Sequence, residues 1–139
     1  MSESYGAPIT LDLAKHVATA ALAEARRNHW LMAVAVVDPA GGLVYFEKMD
    51  DTQNGSAVVA HAKARSAALF KRPSKVFQDA LAGADGLRVL GLEGAVPVEG
   101  GIPLVSDRRI VGAIGVSGGT SEQDGLCAKA GVEAVESVK

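Results

Sequence analysis

Met32-Ala-Val-Ala-Val-Val-Asp38, Pro39-Ala-Gly41-Gly42 and Leu43-Val-Tyr-Phe-Glu47 together decide the fold. The first run is rich in β-branched residues and reads as a buried strand. The Pro-Ala-Gly-Gly stretch supplies turn chemistry, and the third run returns as a second strand. A turn this short leaves no room for a crossover, so the two strands pair as an antiparallel hairpin. Further along, Ala95-Val-Pro-Val98, Gly101-Ile-Pro-Leu-Val105 and Arg109-Ile-Val-Gly-Ala-Ile-Gly-Val116 read as three more strands, with Ser106 to Arg109 turning between the last two. Pro97 and Pro103 each remove a backbone donor, so their strands are short, edge-like or bulged.

Helices flank these strands. Thr10 caps one that runs to about Asn28, with Ala14, Val17, Ala18, Ala21, Leu22 and Ala25 on a single apolar stripe. The opposite face carries His16, Ala20, Ala23 and Arg27, smooth enough in part to pack against something flat. A polar loop from Asp50 to Gly55 leads into a helix over Ser56 to Phe70, alanine at six of its positions. Pro73 stops it, and Ser74 is placed to cap a short helix ending near Gly83. Residues Ala84 to Leu92 are punctuated by glycine and give no clear element. Thr120-Ser-Glu-Gln123 has capping-box spacing and opens a last helix toward the C-terminus. The whole, residues 1–139, reads as one α+β domain with a roughly five-stranded antiparallel sheet and helices on its faces.

At 139 residues, 48% hydrophobic, the chain is long enough to bury a core without metal or disulfide staples. A net charge of −2 argues against nucleic acid or an anionic membrane as partner. No apolar run approaches the roughly 20 residues of a bilayer span. Met1 to Pro8 lacks a secretory pattern, so the expected location is cytoplasmic. Cys127 is the only cysteine, which excludes an internal disulfide and a thiolate metal cage.

Four places hold candidate chemistry. The Ser117-Gly118-Gly119-Thr120-Ser121 turn joins a strand to a capped helix, where free amides at a positive dipole end would hold a carboxylate or phosphate. Its bland reading is a sharp turn that needs small residues. Glu99, beside Gly100 and Gly101, is placed to move a proton or bind a ligand, with the glycine amides as an anion nest; the alternative is a solvated glutamate in a hairpin turn. On the second helix, Arg65 shares a stripe with Val58, Ala62 and Leu69, and His61 stands one turn before it. Charges on so alanine-rich a helix need a cleft or a partner: they line a pocket for an anionic ligand, or Arg65 pairs with an acid such as Glu99. Lys63 sits on another face, beside Val59 and Phe70. Finally, His16, His29 and His61 lack zinc-site spacing, but a single axial histidine on haem iron needs no cluster.

The residues reached so far resemble the GlcG/HbpS-like proteins, relatives of the C-terminal domain of PduO-type proteins. The blocks that carry the likeness are Ala35-Val-Val-Asp38 with Gly41-Gly42, Phe46-Glu-Lys-Met-Asp50 and Lys63-Ala-Arg65-Ser-Ala67. Two more follow, Pro97-Val-Glu-Gly-Gly-Ile-Pro103 and Gly112-Ala-Ile-Gly-Val-Ser-Gly-Gly-Thr-Ser-Glu-Gln-Asp124. The resemblance implies a profilin-like α/β/α sandwich, homo-oligomers, and binding of haem or a related tetrapyrrole, with some members encoded in catabolic operons. Family members share no motif for the axial ligand, which leaves His61 or His16. The glutamate pair that holds iron in secreted members has no match.

Three functions follow as expectations. One is a haem-binding accessory protein, with His61 or His16 at iron and Arg65 or the glycine-rich turn at a propionate. Another is a small isomerase or hydrolase acting on an organic acid, with Glu99 as acid/base and Arg65 plus Ser117–Ser121 on carboxylate. The third is an oligomeric scaffold with a vestigial pocket. The candidate ligand-binding set is His61, Lys63, Arg65, Gly100, Gly101, Gly118, Gly119 and Thr120.

Overall fold

The fold is described from a computed structural model covering residues 3–138; Met1, Ser2 and Lys139 lie outside the described residues. In chain order the elements are β1 (Ser4–Tyr5), α1 (Leu11–Arg27), β2 (Ala33–Val37), β3 (Leu43–Lys48), α2 (Gly55–Phe70) and α3 (Ser74–Leu81). A 3₁₀ turn over Gly86–Gly91 follows, then β4 (Gly101–Ser106), β5 (Arg109–Ser117) and α4 (Ser121–Glu136). Both expected threonine caps form. Thr10 accepts from the Leu13 amide, and Thr120 and Gln123 bond each other's backbone as a capping box.

β5 is the middle of the sheet. β2 runs antiparallel along one edge, pairing Ala33 with Ser117 through Val37 with Ala113, and β4 runs antiparallel along the other. β3 pairs with β2 as the hairpin requires, and no strand lies beyond it among the described residues. The hairpin turn is tied by Asp38, whose Oδ1 accepts from the Ala40 and Gly42 amides, both at 2.9 Å.

The sheet has five strands flanked by helices, but not the five that alternation suggests. Ala95 to Val98 forms no strand. Pro97 offers no N–H to a ladder, and side chains hold the segment instead. Ser66 Oγ accepts from Val96 N at 3.0 Å, and Gln78 Oε1 accepts from Glu99 N at 2.7 Å. Ser74 Oγ donates to the Val98 carbonyl at 2.6 Å and accepts from Gly101 N at 2.9 Å. Ser74 therefore clips this strap rather than capping α3, whose N-cap position is Pro73. The fifth strand is β1, parallel to β5 opposite Arg109 and Ile110, so the sheet is mixed rather than wholly antiparallel. Tyr5 anchors it, its hydroxyl donating to the Ala68 carbonyl at 2.6 Å.

Period-two alternation sorts the sheet's two faces. Val34, Val36, Leu104, Ile114 and Val116 join the core under α1 and α4. Ala33, Ala35, Val37 and Ala113 face α2 and meet Ala60, Ala64, Ala67 and Ala68. With so little side chain between them, helix and sheet approach closely. A Cβ at Gly115 would stand 2.0 Å from the Ala60 carbonyl oxygen, and one at Gly101 would stand 2.2 Å from that of Lys63. Among the described residues no helix is long and apolar enough to cross a membrane.

Candidate functional site

The largest departure from expectation is Lys63. Its side chain is buried on the sheet side of α2, where Nζ donates to Asp124 Oδ2 at 2.8 Å and to the Val116 carbonyl at 2.9 Å. Asp124 Oδ1 in turn accepts from the Gly119 amide at 2.9 Å. Burial raises the Asp124 carboxyl above the usual carboxylate range, against the Lys63 and Gly119 bonds that pull it down. Lys63 thus ties α2 to α4 and has no free face for a ligand.

Three amides of the glycine turns are bonded in the same way. The Gly119 amide is held by Asp124, the Thr120 amide by Gln123 and the Gly101 amide by Ser74. Gly118 has φ +149, and a Cβ there would meet the Leu31 carbonyl at 2.2 Å. Gly100 (φ +132) packs against the ion pair, since a Cβ on it would sit 2.9 Å from Lys63 Nζ. These glycines let backbone approach backbone. The amide donors at Gly101, Gly119 and Thr120, proposed for an anion, are taken by the chain's own oxygens.

Glu99 and Arg65 do not pair. Glu99 lies against Gly125 at the start of α4, while Arg65 is exposed, its stem over Gly41 in the hairpin turn. The expected burial of Arg65 does not occur, because the α2 stripe it shares with Val58 and Leu69 faces outward. Cys127 is buried, and desolvation, reinforced by Glu24 and Asp124, pushes its thiol up to about 12, so it stays protonated and inert.

The histidines differ. His16 is exposed in a cleft of ≈ 380 Å³ with Thr10, Asp12, Leu13 and Val138. A larger hollow of ≈ 480 Å³ between α1 and α4 contains no histidine; alanines floor it, and Glu24, Arg27, Lys129 and Glu133 are among its lining. His61 lines a third, ≈ 350 Å³, with Leu43 and Phe46 of β3 and Ala57 and Val58 of α2. Its Nε2 is shut off from solvent and has no hydrogen-bond partner. A buried ring nitrogen left unpaired costs about 1–3 kcal/mol, which a ligand at that nitrogen would relieve. No cluster of three metal-ligating side chains exists among the described residues.

Over residues 9–133 the chain matches the model of the family described as haem degrading protein HbpS-like. It belongs to the HbpS-like family. Among relatives of this HbpS-like chain, protein GlcG of Escherichia coli K12 is 35% identical over 109 residues, 78% of this chain and 81% of GlcG. Klebsiella pneumoniae protein ORFY superposes with a TM-score of 0.87 at 28% identity, over 100% of this chain and 99% of that one. A structure described as a PduOC:heme complex matches with a TM-score of 0.82 at 26% identity, over 91% of this chain and 94% of that one. HbpS-like membership agrees with the helix-flanked five-stranded sheet.

The sequence signals His61 and Arg65 and marks Ser74 only as a cap, but misses Asp124, Ser66 and Gln78. Of these Asp124 leaves a trace, as an acid in the first turn of a capped helix, and its partner stands 61 residues away.

Proposed function

We propose that this HbpS-like chain is a cytosolic accessory protein that binds haem or a related tetrapyrrole in the cleft between α2 and β3. The unpartnered Nε2 of His61 carries the reading. Leu43, Phe46 and Val58 supply apolar surface for a macrocycle, and a ring protonated on Nδ1 would offer the Nε2 lone pair once the imidazole turns from its shut-off position into the cleft. Bound haem would supply an iron centre for that nitrogen. Arg65, exposed one turn further along α2, would pair with a propionate. The family description and the haem complex of a chain with this fold support the same ligand class. The organic-acid reading is weakened because its carboxylate-binding amides at Gly119 and Thr120 are occupied from within.

Titration with haemin tests this. The wild-type chain is expected to shift the Soret band, and His61→Ala to weaken binding by at least about tenfold, the order of one lost ligand interaction of about 1.4 kcal/mol. An unchanged affinity in His61→Ala with loss in His16→Ala would move the site to the α1 cleft. No Soret shift in the wild type would end the haem reading.

A further inference from the structure

Arg65 is exposed, but its stem is seated. The three heavy atoms nearest to where a Cβ would stand on Gly41 are its Cγ, Nε and Cδ, at 2.8, 3.6 and 3.7 Å. The side chain therefore lies across the β2–β3 turn, and Gly41 is buried there while its neighbours Ala40 and Gly42 are exposed. Gly41 serves this turn twice. Its φ of +87 is in the left-handed region that favours glycine, and its missing Cβ is the space that the Arg65 stem fills. The guanidinium charge stays unspent. Arg65 makes no ion pair among the described residues, and the turn's own carboxylate, Asp38, gives Oδ1 to the Ala40 and Gly42 amides.

This seating fixes which end of the His61 cleft is cationic. Leu43, two residues past Gly41, lines the cleft, so the hairpin turn and Arg65 stand at one end of it. At the other end the chain passes from β3 into α2 through Asp50 and Asp51, neither of which makes an ion pair among the described residues. Lys48, also at that end, donates to Asn54 Oδ1 at 3.3 Å. A flat ligand with carboxylates on one edge is thus attracted at the hairpin end and opposed by two carboxylates at the loop end.

We infer that Gly41 is a positioning residue: it seats the Arg65 stem so that the guanidinium guards the hairpin end of the cleft, and the site selects a tetrapyrrole bearing free carboxylates on one edge, held over the β2–β3 turn. The inference rests on the tetrapyrrole reading above and narrows its ligand class.

Haemin and its dimethyl ester, which lacks both carboxylate charges, test this when titrated into the full chain in one detergent. The wild type is expected to prefer haemin by about tenfold or more, the order of one charge-assisted contact. Arg65→Met and Gly41→Asn should each bring that preference below about threefold, and the double variant should lose no more than either alone. Asn tolerates a left-handed backbone, so the turn is kept while its Cβ displaces the arginine. A folding defect would weaken both ligands together and leave the preference unchanged. Lys48→Ala should keep it. In the diamagnetic zinc protoporphyrin complex of the wild type, propionate methylene protons should show nuclear Overhauser contacts to the Gly41 and Gly42 amides. Contacts to the Asp50 and Asp51 amides instead, or a preference lost in Lys48→Ala and kept in Arg65→Met, would overturn the orientation. A preference lost in Arg65→Met but kept in Gly41→Asn would overturn the role of Gly41. A wild type that binds both ligands equally would overturn the selectivity and leave the tetrapyrrole reading standing, whereas one that binds neither would end both.

Discussion

Lys63→Met is expected to lower stability by about 3–5 kcal/mol, measured as the shift in a urea unfolding midpoint at constant slope. The side chains of Lys63 and Asp124 are 1% and 4% exposed, so removing the ammonium leaves a carboxylate in the interior with the Gly119 amide as its remaining partner. The Val116 carbonyl loses its donor at the same time. The loss measures an uncompensated charge, not the worth of the pair. Accordingly the double variant Lys63→Met with Asp124→Asn should recover most of it, because no charge is then buried and the new side-chain amide oxygen can still accept from Gly119. A single-variant loss below about 1 kcal/mol would mean that water reaches Asp124 and that the tie between α2 and α4 is weak.

Gly115→Ala should cost at least about 3 kcal/mol, in the upper range for overpacking. Its added methyl would stand 2.0 Å from the Ala60 carbonyl oxygen and 2.5 Å from the Ala64 amide nitrogen. Both are main-chain atoms of α2, so no rotamer change makes room; the helix must lift from the sheet. Gly91→Ala is the control, since a Cβ there meets nothing within 4 Å, and its midpoint should barely move. Equal midpoints for the two variants would show that α2 can retreat at little expense.

Much of the fold is legible in the sequence, for local reasons. Thr10 and Thr120 announce their helices because a cap is set within four residues, and the β2–β3 hairpin is set by its turn. What escapes is non-local. Val96 and Val98 alternate like a strand, yet Pro97 and three side chains from α2 and α3 hold them away from the ladder. Ser4-Tyr5 is too short for periodicity to mark it, and only its contacts with Arg109, Ile110 and Ala68 make it a strand. At the site, spacing puts His61 and Arg65 on one face of the helix but cannot say which face meets the sheet. Alanine on every side of α2 removes the hydrophobic asymmetry that orients a helix, so periodicity alone exchanges the environments of Lys63 and Arg65.

The strap from Ala95 to Gly100 has a dynamic consequence. Its amides at Val96 and Glu99, with that of Gly101 at the mouth of β4, are bonded to side chains of α2 and α3 and not to a neighbouring strand. Their protection from deuterium exchange is therefore set by how often those helices part from the strap. All three are expected to exchange with one opening free energy, lower than that of the β2–β5 amides at the centre of the sheet. Exchange of the three with one such free energy would mark the strap as a separate cooperative unit, opening and reclosing while the rest of the molecule stays folded.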